Sequence, residues 1–240
     1  VPQLRAVKSP AEIDYVRKAA ELGDAAYHAA MDEIRPGADE GRILAAMQGA
    51  IFEGGGDYPG NEFIIGSGQD ALLCRYKSGR RSLAANDQIT LEWAGTYRHY
   101  HAALMRTVVV GAPTPRHQEM YQAVHEALAA VEAKLTPGTS FGELFDAHAG
   151  AVDAHGMMAH RLNACGYSLG ARFTPSWMDM PMIYKGNPAT VVPNMVIFTH
   201  MILMDSVTET AMTLGQTYLT TDGQPECLSA LPLDLPVKSG

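Results

Sequence analysis

Ile13, Val16, Ala20 and the segment Leu22 to Ala26 recur at helical spacing, and the pattern predicts a long helix from Pro10 to about Ile34. Ser9-Pro10-Ala11-Glu12 marks its start. Ser is placed to accept from the first turn, Pro sits where its missing N–H is harmless, and Glu three residues on closes a capping box. Pro36-Gly37 ends this helix, and a second is predicted from Asp39 to Phe52. The Gly54 to Gly60 stretch reads as a loop. Three segments rich in β-branched and aromatic residues then read as strands: Phe63 to Ile65, Gln88 to Trp93 and Met105 to Val110.

The second half repeats this plan. Helices are predicted from Pro115 to Leu135 and from Ser140 to Ala154, and strands at Val196 to Leu203 and Gln216 to Thr220. Ile34-x-Pro36-Gly37-x-x-x-Gly41-x-Ile43 and Leu135-x-Pro137-Gly138-x-x-x-Gly142-x-Leu144 agree position for position. A single Pro-Gly turn between helices is common, but matched glycines and apolar flanks point to an internal duplication. Two helix-helix-strand halves about a pseudo-twofold axis give an α+β domain, with a curved antiparallel sheet inside and helices outside. A ligand site is then expected between the halves. Residues 1–240 are read as a single domain.

Composition narrows the classes. With 47% hydrophobic and 18% charged residues the chain is ordinary for a globular protein. A formal charge of −8 speaks against a nucleic-acid partner, which needs clustered Lys and Arg. Cys74, Cys165 and Cys227 are widely spaced and form no CxxC pair, so they read as reduced thiols of a cytoplasmic protein. The longest apolar stretch, Met195 to Met204, is too short to span a membrane and is broken by Thr199 and His200. The first residue is not Met, and the chain is expected to be the C-terminal part of a longer one.

The chemistry centres on Leu91-Glu92-Trp93-Ala94-Gly95-Thr96-Tyr97-Arg98-His99-Tyr100-His101-Ala102-Ala103-Leu104-Met105-Arg106-Thr107. This stretch resembles the signature of the pita-bread superfamily of creatinases, prolidases and methionine aminopeptidases. There an aspartate on one strand and a second eleven residues later, before an Arg-Thr strand, help hold two metal ions. Arg5-Ala6-Val7-Lys8-Ser9-Pro10-Ala11-Glu12-Ile13 resembles the opening of the catalytic domain in creatinase and prolidase relatives, where it follows a separate N-terminal domain. Gly166-Tyr167-Ser168-Leu169-Gly170, Asn194 to His200 and Leu214 to Gly223 are similar to its later motifs, so the resemblance covers nearly the whole chain.

The resemblance places the five metal ligands at or near Glu92, Ala103, Tyr167, His200 (or Met201, one register step on) and Gly215. Ala, Tyr and Gly do not supply the fixed oxygen or imidazole donors that two metal ions require. No metal and no cofactor is therefore expected. The family's proton-donor histidine falls at Arg75 or Cys74. The order Glu92, Gly95, Tyr97, Arg98, Tyr100-His101 and Arg106-Thr107 is most similar to the metal-free, ectoine hydrolase-like subgroup, although Ala103 stands where that subgroup tends to carry Pro. The resemblance implies a homodimer acting on a small molecule.

The implied function is metal-independent hydrolysis of a small nitrogenous compound, in the first instance ring opening of an ectoine-like cyclic amidine. Opening such a ring needs a base or nucleophile, an acid for the leaving nitrogen, and groups that orient the substrate. Glu92, central on an apolar strand, is expected to be partly desolvated and to act as nucleophile or general base. The plain alternative is a salt bridge to Arg106 or Arg98. His101 and His200 are the candidate proton partners, with a satisfied core histidine the alternative for each. Tyr167, Arg75, Arg106, Arg172 and Trp177 are the candidate substrate-binding residues, the arginines as carboxylate clamps. Two other functions remain open: an Xaa-Pro dipeptidase-like metallopeptidase, and a pita-bread module that binds peptide or protein without catalysis.

Overall fold

A computed structural model describes residues 2–73 and 79–239. Five helices, α1 (Pro2–Ala6), α2 (Pro10–Glu33), α3 (Glu40–Glu53), α4 (Pro115–Lys134) and α5 (Phe141–Ala154), accompany one mixed sheet. Its main strands are β1 (Ile64–Ser67), β2 (Asp87–Tyr97), β3 (Tyr100–Val110), β4 (Ala164–Ser168), β5 (Asp179–Tyr184), β6 (Val196–Asp205) and β7 (Thr210–Leu219). Two short strands, β8 (Glu226–Cys227) and β9 (Val237–Lys238), add to β7 and β3. The result is the α+β pita-bread fold, a curved sheet, antiparallel except where β9 joins β3, with helices packed against it.

The helices begin as the sequence predicts. Ser9 caps α2 and Thr114 caps α4, each with a reciprocal capping box and Pro at the first position. Both helix pairs turn through a glycine in the left-handed region, Gly37 at φ 81° and Gly138 at φ 90°, a conformation that a β-carbon disfavours. The following helices, α3 and α5, are each 14 residues long. The duplication extends to the sheet, whose strand order is β1-β2-β3-β7-β6-β4-β5. β1, β2 and β3 are mirrored by β4, β6 and β7, and the halves meet where Met105 and Arg106 pair with Gly215 and Leu214.

The sheet's two faces differ. On one, Trp93 and Arg106 lie beneath the helices, and the Trp93 indole donates to Gly23 O of α2 at 2.8 Å. A β-carbon on Gly95 would come within 1.8 Å of Ala19 O, so α2 rests directly on the β2 backbone. The other face carries the alternate residues, Glu92 among them.

The strands run further than the hydrophobic pattern indicates. β2 and β3 extend to a tight hairpin at Arg98-His99, and β7 begins at Thr210 rather than Gln216. Further strands near these are expected, but the pattern sets no bounds for β4 and β5. A glycine, a proline and half-exposed methionines obscure their alternation, and pairing to β6 holds them in place. Among the described residues no helix is long and apolar enough to cross a membrane.

Candidate active site

Strand register builds the site. Ile64 pairs with Glu92, Glu92 with Met105, Met105 with Gly215, and Gly215 with His200, forming one row across β1, β2, β3, β7 and β6. Paired residues share a face, as do residues two apart along a strand. Ala103, two from Met105, therefore joins the row's face, and so does Phe198, two from His200. Tyr167 pairs with Phe198 and completes it. The five positions at which the resemblance places metal ligands thus converge, with His200 and not Met201 facing inward. Met201 pairs with Leu214 on the helix side, where its sulfur lies 3.0 Å from His148 Nδ1.

Above this face lies a cavity of about 380 Å³, lined by Glu92, Tyr167, Trp177 and His200 together with Asn61 and Glu62. Glu92 and His200 are each 8% exposed, enough to meet a ligand while shielded from bulk water. The Tyr167 hydroxyl lies 3.4 Å from Glu92 Oε1 and receives the Trp177 indole N–H at 2.8 Å. The Tyr167 ring also packs against His200, 5.6 Å between centroids. Tyr167 therefore stands between the carboxylate of one half and the imidazole of the other. Asn61 Oδ1 accepts from the Trp177 backbone N–H at 3.1 Å and fixes the loop that carries the indole.

Three candidates are placed elsewhere. His101 pairs with Thr96, four residues along β2 from Glu92, a separation of ~13 Å at the usual strand rise. Its Nε2 accepts from Gly60 N–H at 2.9 Å, so its proton sits on Nδ1, which faces Gly170 O at 3.2 Å. Burial holds this imidazole down to about 4. It is a neutral clamp joining two loops at the end of the site, and it does not reach Glu92. Arg106 lies on the helix face and is fully buried, donating to Met105 O, Gly215 O and Pro232 O. It cannot serve as a substrate clamp from there. Arg172 donates to Ser176 O and lies 3.8 Å from Asp179, outside the cavity lining. Arg75 and Cys74 fall outside the described residues.

Asn61 and Glu62 were missed because they follow a glycine-rich loop with no periodicity, and only folding brings that loop over the sheet. Lys8 was missed too. Burial pushes its ammonium down to about 8, and Nζ donates to Ala6 O at 3.0 Å and to Ser168 Oγ at 3.4 Å beside the Tyr167 strand. A larger cavity of about 610 Å³ lies near Arg81, Asp87, His117 and Glu209. Its polar groups bond mainly to one another. Arg81 donates to Asp87 and Ser67, and His117 bonds Gln88, so we do not take it as the reacting site.

The residues do not fit a pair of metal ions. Ala103 and Gly215 offer no donor, and among the described residues no group of three or more His, Cys, Asp or Glu is placed to hold a metal. At Gly215 the space is occupied as well. A β-carbon there would lie 2.8 Å from the Phe198 ring and 2.9 Å from Met105 Cβ. Hydrocarbon stands where a carboxylate stem would have to leave the backbone.

Comparison with known proteins agrees with this geometry at the level of family and fold. The model of metallopeptidase family M24 matches residues 14–222. An Xaa-Pro dipeptidase of Pyrococcus furiosus is 26% identical over 201 residues, covering 82% of this chain and 58% of the relative. Ectoine hydrolase of Halomonas elongata is also 26% identical, covering 98% of this chain and 60% of the relative. The chain thus spans less than two thirds of the length of these relatives. Among solved structures, prolidase from Pyrococcus furiosus superposes with a TM-score of 0.90 at 24% identity, covering 96% of this chain and 67% of that one. Xaa-Pro dipeptidase from Bacillus anthracis gives 0.92 at 20% identity, covering 98% and 65%. Both structural likenesses speak for the fold alone.

Proposed function

The chain belongs to metallopeptidase family M24, and from that premise we propose that it is a hydrolase working without the family's metal ions, on a small nitrogenous compound. The observation that carries this reading is the row Glu92–Met105–Gly215–His200, which keeps one carboxylate and one imidazole and places Phe198 and Met105 against the position over Gly215. The best candidate substrate is a cyclic amidine like ectoine, consistent with the similarity to ectoine hydrolase over 98% of this chain. The cavity supports a cationic group. Glu92 and Glu62 line it together with the side chains of Tyr167 and Trp177.

Glu92 acts as general base in this reading. It takes a proton from water as the oxygen adds to the amidinium carbon, then returns that proton to the ring nitrogen as the C–N bond breaks. The hydroxyl proton of the tetrahedral intermediate passes to the departing amine, leaving an amide and an ammonium group. His200, across the pocket, is the second group able to carry a proton. Tyr167 and Trp177 hold the substrate against Glu92. The Xaa-Pro dipeptidase reading, drawn from relatives such as that of Pyrococcus furiosus, requires metal donors that Ala103 and Gly215 lack.

Two measurements test the proposal: metal content of the purified protein, and ectoine ring opening by wild type and Glu92→Gln. We expect substoichiometric metal and a loss of activity of about 100-fold or more, the usual contribution of general base catalysis. Stoichiometric metal, or an undiminished variant, overturns it.

A further inference from the structure

Tyr167 and Trp177 do more than line the cavity. An indole Nε1–H only donates, so the Tyr167 oxygen, 2.8 Å away, must accept from Trp177. A phenol has one hydrogen, and with the indole bond set this hydrogen is directed at Glu92 Oε1, 3.4 Å away. Donation therefore runs one way, from Trp177 to Tyr167 to Glu92, and ends on a carboxylate that only accepts while ionised. The second bond is long for an O–H···O contact, which is usually about 2.7–2.8 Å. It can steer the carboxylate while leaving it able to take a proton.

The source of this relay is held by its neighbours. The Trp177 side chain is buried, and its backbone N–H is tied to Asn61 Oδ1. A β-carbon on Gly60 would lie 2.8 Å from Trp177 N, so the two loops are in direct backbone contact. His101 holds Gly60 in turn. Glu92 is thereby coupled to loops that are distant from it in sequence.

We propose that Trp177 is a positioning residue for Glu92, acting through the Tyr167 hydroxyl. The proposal rests on the reading of Glu92 as the reacting carboxylate and adds what sets its direction. Replacing the indole removes the donor that orients the phenol, and the carboxylate loses its alignment although its chemistry is unchanged.

The protein has two tryptophans, so a ¹⁵N-labelled sample gives two indole cross-peaks, with Trp177→Phe identifying the one it deletes. Trp93 follows Glu92 in the chain but faces the helix side of the sheet, where it donates to Gly23 O outside the relay, and it serves as the folding control. As the pH is lowered from about 8 to about 3, spanning the ordinary His and Glu ranges, with the Trp93 peak reporting that the chain stays folded, the Trp177 peak should move in a step that Trp93 does not share. That step should vanish in Glu92→Gln and in Tyr167→Phe and survive in His200→Gln. A step absent from wild type, persisting in Tyr167→Phe, or lost only in His200→Gln overturns the relay. Should Tyr167→Phe lose the Trp93 peak through misfolding, the Glu92→Gln and His200→Gln pair decides alone. Ring opening by Glu92→Gln is a separate readout, so failure of the catalytic reading is distinguishable from failure of the relay.

Discussion

The Phe198 ring lies 2.8 Å from the point where a β-carbon on Gly215 would stand. Restoring a carboxylate there means displacing an aromatic side chain that is fully buried and packed against Tyr167. Gly215→Glu is therefore expected to destabilise the fold by about 2 kcal/mol or more, from overpacking and from an added buried charge. Urea unfolding measures this, and calorimetric titration with manganese should show no site gained. A stable variant that binds the metal would mean the pocket is only a ligand short.

Arg106 is expected to matter for stability and not for substrate. Its guanidinium is buried, with burial pushing it down from its usual value, and it ties the β3–β7 junction to Pro232 of the C-terminal segment. Arg106→Ala should cost about 2–4 kcal/mol in urea unfolding through lost packing and orphaned carbonyls. The folded fraction should keep its KM. A raised KM with unchanged stability would return Arg106 to the pocket.

His101 and His148 set the response to acid. Burial holds both at about 4, against an ordinary 6.5, and His148 Nε2 has no hydrogen-bond partner among the described residues. The unfolded chain takes up these protons below about pH 6.5, while the folded chain resists until near pH 4. Their contribution to stability is thus complete above that window and lost as pH falls through it, on the order of 3 kcal/mol for each. The urea midpoint should fall between those limits, and His148→Leu should flatten the slope by one proton. A midpoint indifferent to pH across this range would contradict the burial of both rings.

Gly95→Ala should prevent folding outright. The added carbon meets the Ala19 carbonyl at 1.8 Å and Gly23 N at 2.4 Å, both backbone atoms of α2 that no side-chain rotation can move. Circular dichroism and solubility report the outcome. A folded, soluble Gly95→Ala would show that α2 can lift from β2.

The helices, their caps and the duplicated Pro-Gly turns were legible because they depend on neighbours a few residues away. Glu92 was legible for a related reason, as a single acid set among apolar residues on a strand. His200 could be placed only to within one register step, and the pairing to Gly215 resolved it. Arg106 and His101 misled because sequence spacing does not say which face of a strand, or which end of a sheet, meets the pocket. Their neighbours are Pro232 and Gly170, residues supplied by distant parts of the chain. Asn61 and Glu62 gave no signal, since a loop acquires its place from what it folds over.

The two halves of the sheet are joined by a short ladder, in which Met105 and Arg106 meet Gly215 and Leu214. Glu92 belongs to one half, while Tyr167, Trp177 and His200 belong to the other. The phenol–carboxylate bond therefore spans the seam, so a turn of one half against the other would change its length. A molecule seated between them would bear on the same seam that aligns the proposed base, which would link occupancy to alignment.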